Sequence, residues 1–154
     1  LEFPESIGFL LENPAFLDRY SGYSNLKLLA EIQNNISDAE IKEVLSLVGL
    51  NEEASKKKYR KYSLGMKQRL GIAAAIMENP DIIILDEPTN ALDTAGVKLV
   101  KGILQKQKER GALCILSCHD LPVLESLSDE IIKLEEGKII EHISLSKAGG
   151  GTEF

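Results

Sequence analysis

The chain has 154 residues with no tryptophan, four tyrosines, four phenylalanines and two cysteines. So few rings leave little material for an aromatic-lined sugar cleft or a base-stacking platform. Cys114 and Cys118 stand too close in sequence to make a useful staple, and they lack the companion ligands of a Cys/His zinc site, so both are read as reduced thiols. No apolar run approaches the roughly 20 residues that a membrane-crossing helix needs. The opening "LEFPESIGFLLENP" has neither a basic segment nor a small-residue cleavage site, and the reading is a cytoplasmic polypeptide. A net charge of −6 makes nucleic acid a poor partner, because a polyanion would be repelled.

What is present starts with enough length for a core, since a domain of this size buries roughly 70% of the surface its unfolded chain exposes. Seven of the 18 Lys and Arg residues fall in the stretch 55–70, "SKKKYRKYSLGMKQRL", which contains no acid. A solvated face and a positive rim beside a phosphate site both satisfy that pattern.

Periodicity then orders the chain. "IGFLL" from Ile7 to Leu11 has the apolar run of a buried strand, stopped by "ENP". Leu26, Leu29 and Ala30 recur at helical spacing. Ser37 and Glu40 stand in capping-box spacing ahead of Ile41, Val44, Leu45 and Val48, with Gly49 as the stop. A helix is predicted from an N-cap at Ser63 to about Asn79, ahead of Pro80. The strand "DIIILD" follows, then a helix from Thr94 to about Glu109 ended by Gly111 and the strand "ALCILS". A short helix with Pro122 in its first turn and two strands around Gly137 complete the pattern. Strands alternating with helices predict an α/β layer with largely parallel strands, and the early helical stretch predicts a separate all-α lobe. The glycine-rich tail "KAGGGTEF" is read as disordered.

Two adjacent acids, Asp86 and Glu87, end the apolar run "IIIL". That places them at the carboxyl edge of a sheet, where open α/β folds bind ligands. Paired charges at a buried edge cost several kcal/mol unless a cation or proton compensates, and magnesium with a nucleotide would compensate both. Ser63 heads a helix whose free N–H groups suit a phosphate, with Gly65 allowing close approach; an ordinary capped helix satisfies the same residues. Lys67 and Arg69 add positive charge there, or pair with acids elsewhere. His119 stands at another strand's carboxyl edge, either as a polar loop residue or as a contact to a terminal phosphate or water.

Taken together, "YSLGMKQRLGIA" at Tyr62–Ala73 resembles the signature helix of ABC-transporter ATPases, and "IIILDE" resembles their Walker B strand. "ALD" at Ala91–Asp93 resembles the D-loop and "SCHD" the switch-histidine loop, in the family's order and spacing. The resemblance implies a partial P-loop NTPase core with ATP and Mg2+ as ligands, Asp86 positioning the metal through water, Glu87 polarising the attacking water and His119 touching the γ-phosphate. It implies further that Ser63 and Gly65 bind the γ-phosphate of a nucleotide held by a second ATP-binding subunit, and that Asp93 communicates across that dimer. "IGFLLENP" is similar to the loop that senses a transmembrane permease; Glu12 stands there where many relatives carry Gln at a metal contact. Leu64 and Met66 replace the common Gly and Gln of the signature, as in a bacterial branch that exports antibiotics and antimicrobial peptides.

The family's phosphate-binding loop, G-x-x-x-x-G-K-S/T, is not among these residues: no two glycines stand five apart, and the only Gly-Lys pair, Gly137 with Lys138, is followed by Ile139. The expectation is therefore an N-terminally truncated cassette that neither hydrolyses ATP nor binds it tightly alone, peripheral at the inner membrane face through its permease. Its parts are expected at 1–21 (end of the first core portion), 22–79 (helical lobe), 80–143 (second core portion) and 144–154 (tail). A non-transport ABC ATPase and a non-catalytic module that binds a permease are the alternatives.

Overall fold

The computed structural model describes residues 6–12, 14–33 and 36–145. The chain divides into two compact units, Leu1–Cys118 and His119–Phe154.

In the first unit, strands β1 (Ile7–Leu10), β2 (Ile82–Asp86) and β3 (Leu113–Ser117) form a parallel sheet in the order β1-β2-β3. The register pairs Leu10 with Leu85 and Asp86 with Ser117, so all three strands end at one edge. Alternation decides which side chains meet the helices. Leu10, Ile83 and Leu85 are buried, whereas Ile7, Phe9, Leu113 and Ile115 on alternate positions are exposed.

The helices are α1 (Gly22–Gln33), α2 (Asp38–Leu47), α3 (Glu52–Lys56), α4 (Leu64–Ile76) and α5 (Thr94–Glu109), with a 3-10 turn at Tyr59–Lys61. α4 lies against β1 and β2, and α5 against β3. The α4–β1 contact is backbone on backbone: a β-carbon on Gly8 would stand 1.8 Å from the Ala75 carbonyl oxygen. Gly71 of α4 likewise admits Leu10 and Pro14.

Local chemistry sets the helix limits. The Ser37 N–H donates to Glu40 Oε2 at 2.8 Å while Ser37 Oγ accepts from the Glu40 N–H, which completes the expected capping box; the Ser37 hydroxyl, donating to Glu40 Oε2 at 2.6 Å, and then the Ser37 N–H lower the Glu40 pKa. Ile41, Val44, Leu45 and Val48 are buried as the periodicity requires, and Gly49 takes the left-handed conformation that ends the turn. In α1, Leu26 and Ala30 are buried as expected, but Leu29, placed on the same apolar face by its spacing, is exposed. Asn25 is also buried, its Oδ1 accepting from the Leu17 N–H at 2.8 Å and its Nδ2 donating to the carbonyls of Leu17 and Ser21.

Two features differ from the expectations. α4 stops at Ile76, short of Asn79, because Asn79 adopts φ 50° ahead of Pro80. A short helix, α3, also runs into the start of the basic stretch; it is too short for a periodic signal, and its cap Asn51 accepts from the Ala54 N–H at 2.8 Å. That stretch divides by residue type. Tyr59 and Tyr62 are buried, bonding the carbonyls of Pro14 (2.5 Å) and Ala54 (2.9 Å), and burial raises the pKa of both phenols. Lys56, Lys57 and Lys58 remain exposed.

The second unit holds α6 (Leu121–Leu127), capped by Asp120 with Pro122 in its first turn, and the antiparallel pair β4 (Glu130–Glu135) and β5 (Lys138–Ser144). Gly137 is left-handed in the connecting turn. Of the tail expected from 144, Ser144 ends β5 and the Leu145 N–H bonds the Asp129 carbonyl; residues 146–154 lie outside the described residues. Among the described residues, no helix is long and apolar enough to cross a membrane.

Candidate functional site

The sheet edge at the end of β2 carries the acids, and Ser117 at the end of β3 ties them together. Its hydroxyl donates to Asp86 Oδ1 at 2.5 Å, and its Oγ and carbonyl oxygen each stand 3.2 Å from the Glu87 N–H. Glu87 adopts φ 49°, a left-handed setting that a residue with a β-carbon takes at a cost. Pro88 behind it is fully buried. Glu12, two residues beyond Leu10 of the adjacent strand, is exposed at the same edge.

α4 reaches this corner from the side. Gln68, buried on the helix face that also carries Ile72 and Ala75, donates from Nε2 to the Glu87 carbonyl at 2.8 Å. At the helix start, Ser63 Oγ accepts from the Met66 N–H at 3.2 Å. Gly65 is half-buried, and a β-carbon there would stand 3.0 Å from the Ala91 carbonyl oxygen. Replacing Ser63 with Ala is expected to cost about 1 kcal/mol through loss of the cap, read as a lower urea midpoint with an unchanged slope.

Asp93 closes the loop that follows Glu87 and caps α5, its Oδ1 accepting from the Gly96 N–H at 2.8 Å. Lys67 extends over the Tyr59 ring, 4.9 Å from its centroid. Arg69 points toward the backbone of Gly49 and Gly96, where the absence of side chains admits it. His119 opens the second unit, two residues after Ser117 in the chain. Cys114 is half-buried on β3, and burial raises its thiol pKa.

The structure thus joins Asp86 and Glu87 through Ser117, brings Gly65 against the 87–92 loop, and sets Glu12 on the same edge. Gln68 and Ser117 were not foreseen. A glutamine in helical register with Gly71, Ile72 and Ala75 was the available signal for the first; for the second it was a serine ending the strand next to Asp86. Among the described residues, no three His, Cys, Asp or Glu side chains cluster as a metal centre. With Asp86 Oδ1 held by Ser117, the donor set suits Mg2+ bound through one carboxylate, waters and phosphates.

A parallel sheet with two acids at its carboxyl edge, packed against a glycine-containing helix, is consistent with a partial P-loop NTPase α/β core. The ABC transporter family model matches residues 2–90. This chain therefore belongs to the ABC transporter family.

The ABC transporter ATP-binding protein YybJ of Bacillus subtilis, itself uncharacterised, is 45% identical over 139 residues, covering 90% of this chain and 63% of YybJ. The bacitracin transport ATP-binding protein BcrA of Enterococcus faecalis is 40% identical, covering 92% of this chain and 46% of BcrA. The lantibiotic transport ATP-binding protein SrtF of Streptococcus pyogenes is 38% identical, covering 96% of this chain and 62% of SrtF. The dimeric structure of the bacterial ABC transporter cassette MJ0796 superposes with a TM-score of 0.83 at 25% identity, covering 91% of this chain and 63% of that one. This chain thus spans about half to two thirds of the length of the relatives it matches.

Proposed function

We propose that these residues are the signature and Walker B portion of an ATP-binding subunit that hydrolyses ATP to drive export across a membrane. The observation that carries the reading is the corner at the end of β2, where Asp86 and Glu87 are fixed by Ser117 and Gln68 at one edge of a parallel sheet. In this reading Asp86 holds Mg2+ through water, Glu87 polarises the attacking water and His119 contacts the γ-phosphate. The free N–H groups beyond Ser63, with Gly65, bind the γ-phosphate of a nucleotide on a second subunit, and Asp93 faces that dimer contact. Glu12 serves as a metal contact in the loop that meets a transmembrane permease. Bound magnesium supplies charge neutralisation across the phosphate oxygens.

The parts are 1–21 and 80–143 for the core and 22–79 for the helical lobe, with the subunit peripheral at the inner membrane face. The names of BcrA and SrtF, with transport of bacitracin and of a lantibiotic, support an antimicrobial peptide or drug as cargo.

Phosphoryl transfer depends on positioning and charge stabilisation, much of it from a phosphate-binding loop. The 154-residue chain is therefore expected to release phosphate from ATP at background rate in a malachite-green assay. Joined at its amino end to a G-x-x-x-x-G-K-S/T segment from an ATP-binding cassette, it should turn over. A folded fusion that binds ATP but shows no turnover would refute the reading.

A further inference from the structure

Between Glu87 and Leu92 the backbone enters the left-handed region twice at residues bearing a β-carbon, with φ 49° at Glu87 and 60° at Ala91. Such settings cost on the order of 1–3 kcal/mol each and persist only where the surroundings enforce them. Turn bonds from the Asn90 N–H to the Glu87 carbonyl and from the Leu92 N–H to the Thr89 carbonyl, both 3.1 Å, close the loop. They do not fix its setting against the rest of the unit. Contacts from outside the loop do. Ser117 holds the N–H side of Glu87, Gln68 holds its carbonyl from the opposite side, Gly65 backs the Ala91 carbonyl, and Thr89 Oγ1 meets Cys118 Sγ at 3.8 Å. Gln68 and Gly65 both belong to α4.

We propose that Gln68 is a positioning residue through which the placement of the α4 start sets the aim of Glu87. The inference rests on the reading of Glu87 and of Ser63 with Gly65 given above. The bond from Gln68 is short and its donor is buried, so no water replaces it cheaply when α4 moves. A displacement of α4 then either breaks the bond or drags the Glu87 carbonyl with it; Pro88, whose ring fixes the next φ, keeps the peptide from swinging freely, so the shift passes to the Glu87 α-carbon that bears the carboxylate. An anion drawn to the N–H groups at the α4 start is thereby felt at a carboxylate of the same chain. In a pair of cassettes the two groups serve different nucleotides, so this link makes the two sites cooperative.

The test uses the fusion described above in its dimeric form, with turnover followed against ATP concentration. Gln68→Met keeps length and volume but loses the donor; Gln68→Asn keeps the amide and withdraws it by one methylene. Each is expected to lower kcat about tenfold to a hundredfold, to leave KM for ATP within about twofold, and to bring the Hill coefficient toward unity. Unchanged kcat and Hill coefficient in either folded variant overturns the proposal. So does a loss confined to thermal stability with wild-type turnover per folded cassette, or failure of both variants to fold, which would assign Gln68 to the core alone. Glu87→Gln runs alongside: wild-type turnover in that variant would overturn the functional reading itself, independently of Gln68.

Discussion

Gly8→Ala is expected to unfold or severely weaken the first unit. The added methyl would lie 1.8 Å from the Ala75 carbonyl oxygen and 2.9 Å from its carbon, and both belong to the backbone of α4. No rotamer change relieves that overlap, so strand and helix must part, and the buried contacts of Leu10, Gly71 and Pro14 part with them. We expect a loss of about 3 kcal/mol or more, a large share of the 5–15 kcal/mol typical of a domain. At roughly 2–4 °C per kcal/mol, circular dichroism should record a fall in Tm of about 10 °C.

The same substitution at two other glycines supplies the controls. At Gly71 the new methyl would meet the tip of the Leu10 side chain at 2.5 Å, which can yield, so a smaller loss is expected. At Gly102, exposed within α5, nothing lies within 4 Å, and alanine should stabilise by about 0.5–1 kcal/mol through helix propensity and a less free unfolded chain. A Gly8→Ala melt within about two degrees of wild type would show that β1 and α4 are not in backbone contact.

Glu87→Gln in the fusion carrying a phosphate-binding loop is expected to reduce ATP turnover by about a hundredfold to ten-thousandfold, the usual contribution of a positioned general base. The amide is nearly isosteric, and the bonds from residue 87 to Ser117 and Gln68 run through its own N–H and carbonyl. Those bonds survive the substitution, so the loss falls on the chemistry and not on the fold. ATP binding should persist, and the nucleotide-dependent dimer proposed above should persist with it. Phosphate release and light scattering on the same sample report both. Turnover within a few-fold of wild type would remove Glu87 from the reacting centre.

Local signals were the legible ones. The capping box at Ser37 and Glu40, the stop at Gly49 and the limits of α5 between Asp93 and Gly111 all follow from short-range chemistry. The arrival of Asp86 and Glu87 at a strand end was legible because four apolar residues precede them. What holds those acids was not. Ser117 lies 31 residues from Asp86, and Gln68 lies 19 residues from Glu87; each becomes a neighbour only when the strand register and the seat of α4 are set. Lys67 and Arg69 show the same limit. Both stand beside the signature serine in sequence, yet one covers the Tyr59 ring and the other points to Gly49 and Gly96. α3 escaped because its five residues, with two glutamates and a lysine among them, leave no apolar rhythm to read.

The alternate face of the three-stranded sheet has a practical corollary. Ile7, Phe9, Leu113 and Ile115 present a flat greasy panel to water, and parallel sheets ordinarily have both sides shielded. Handled by itself, the polypeptide should cling to column matrices and to its own kind as concentration rises. Dilute samples or a mild detergent would then be the conditions under which its intrinsic properties are read.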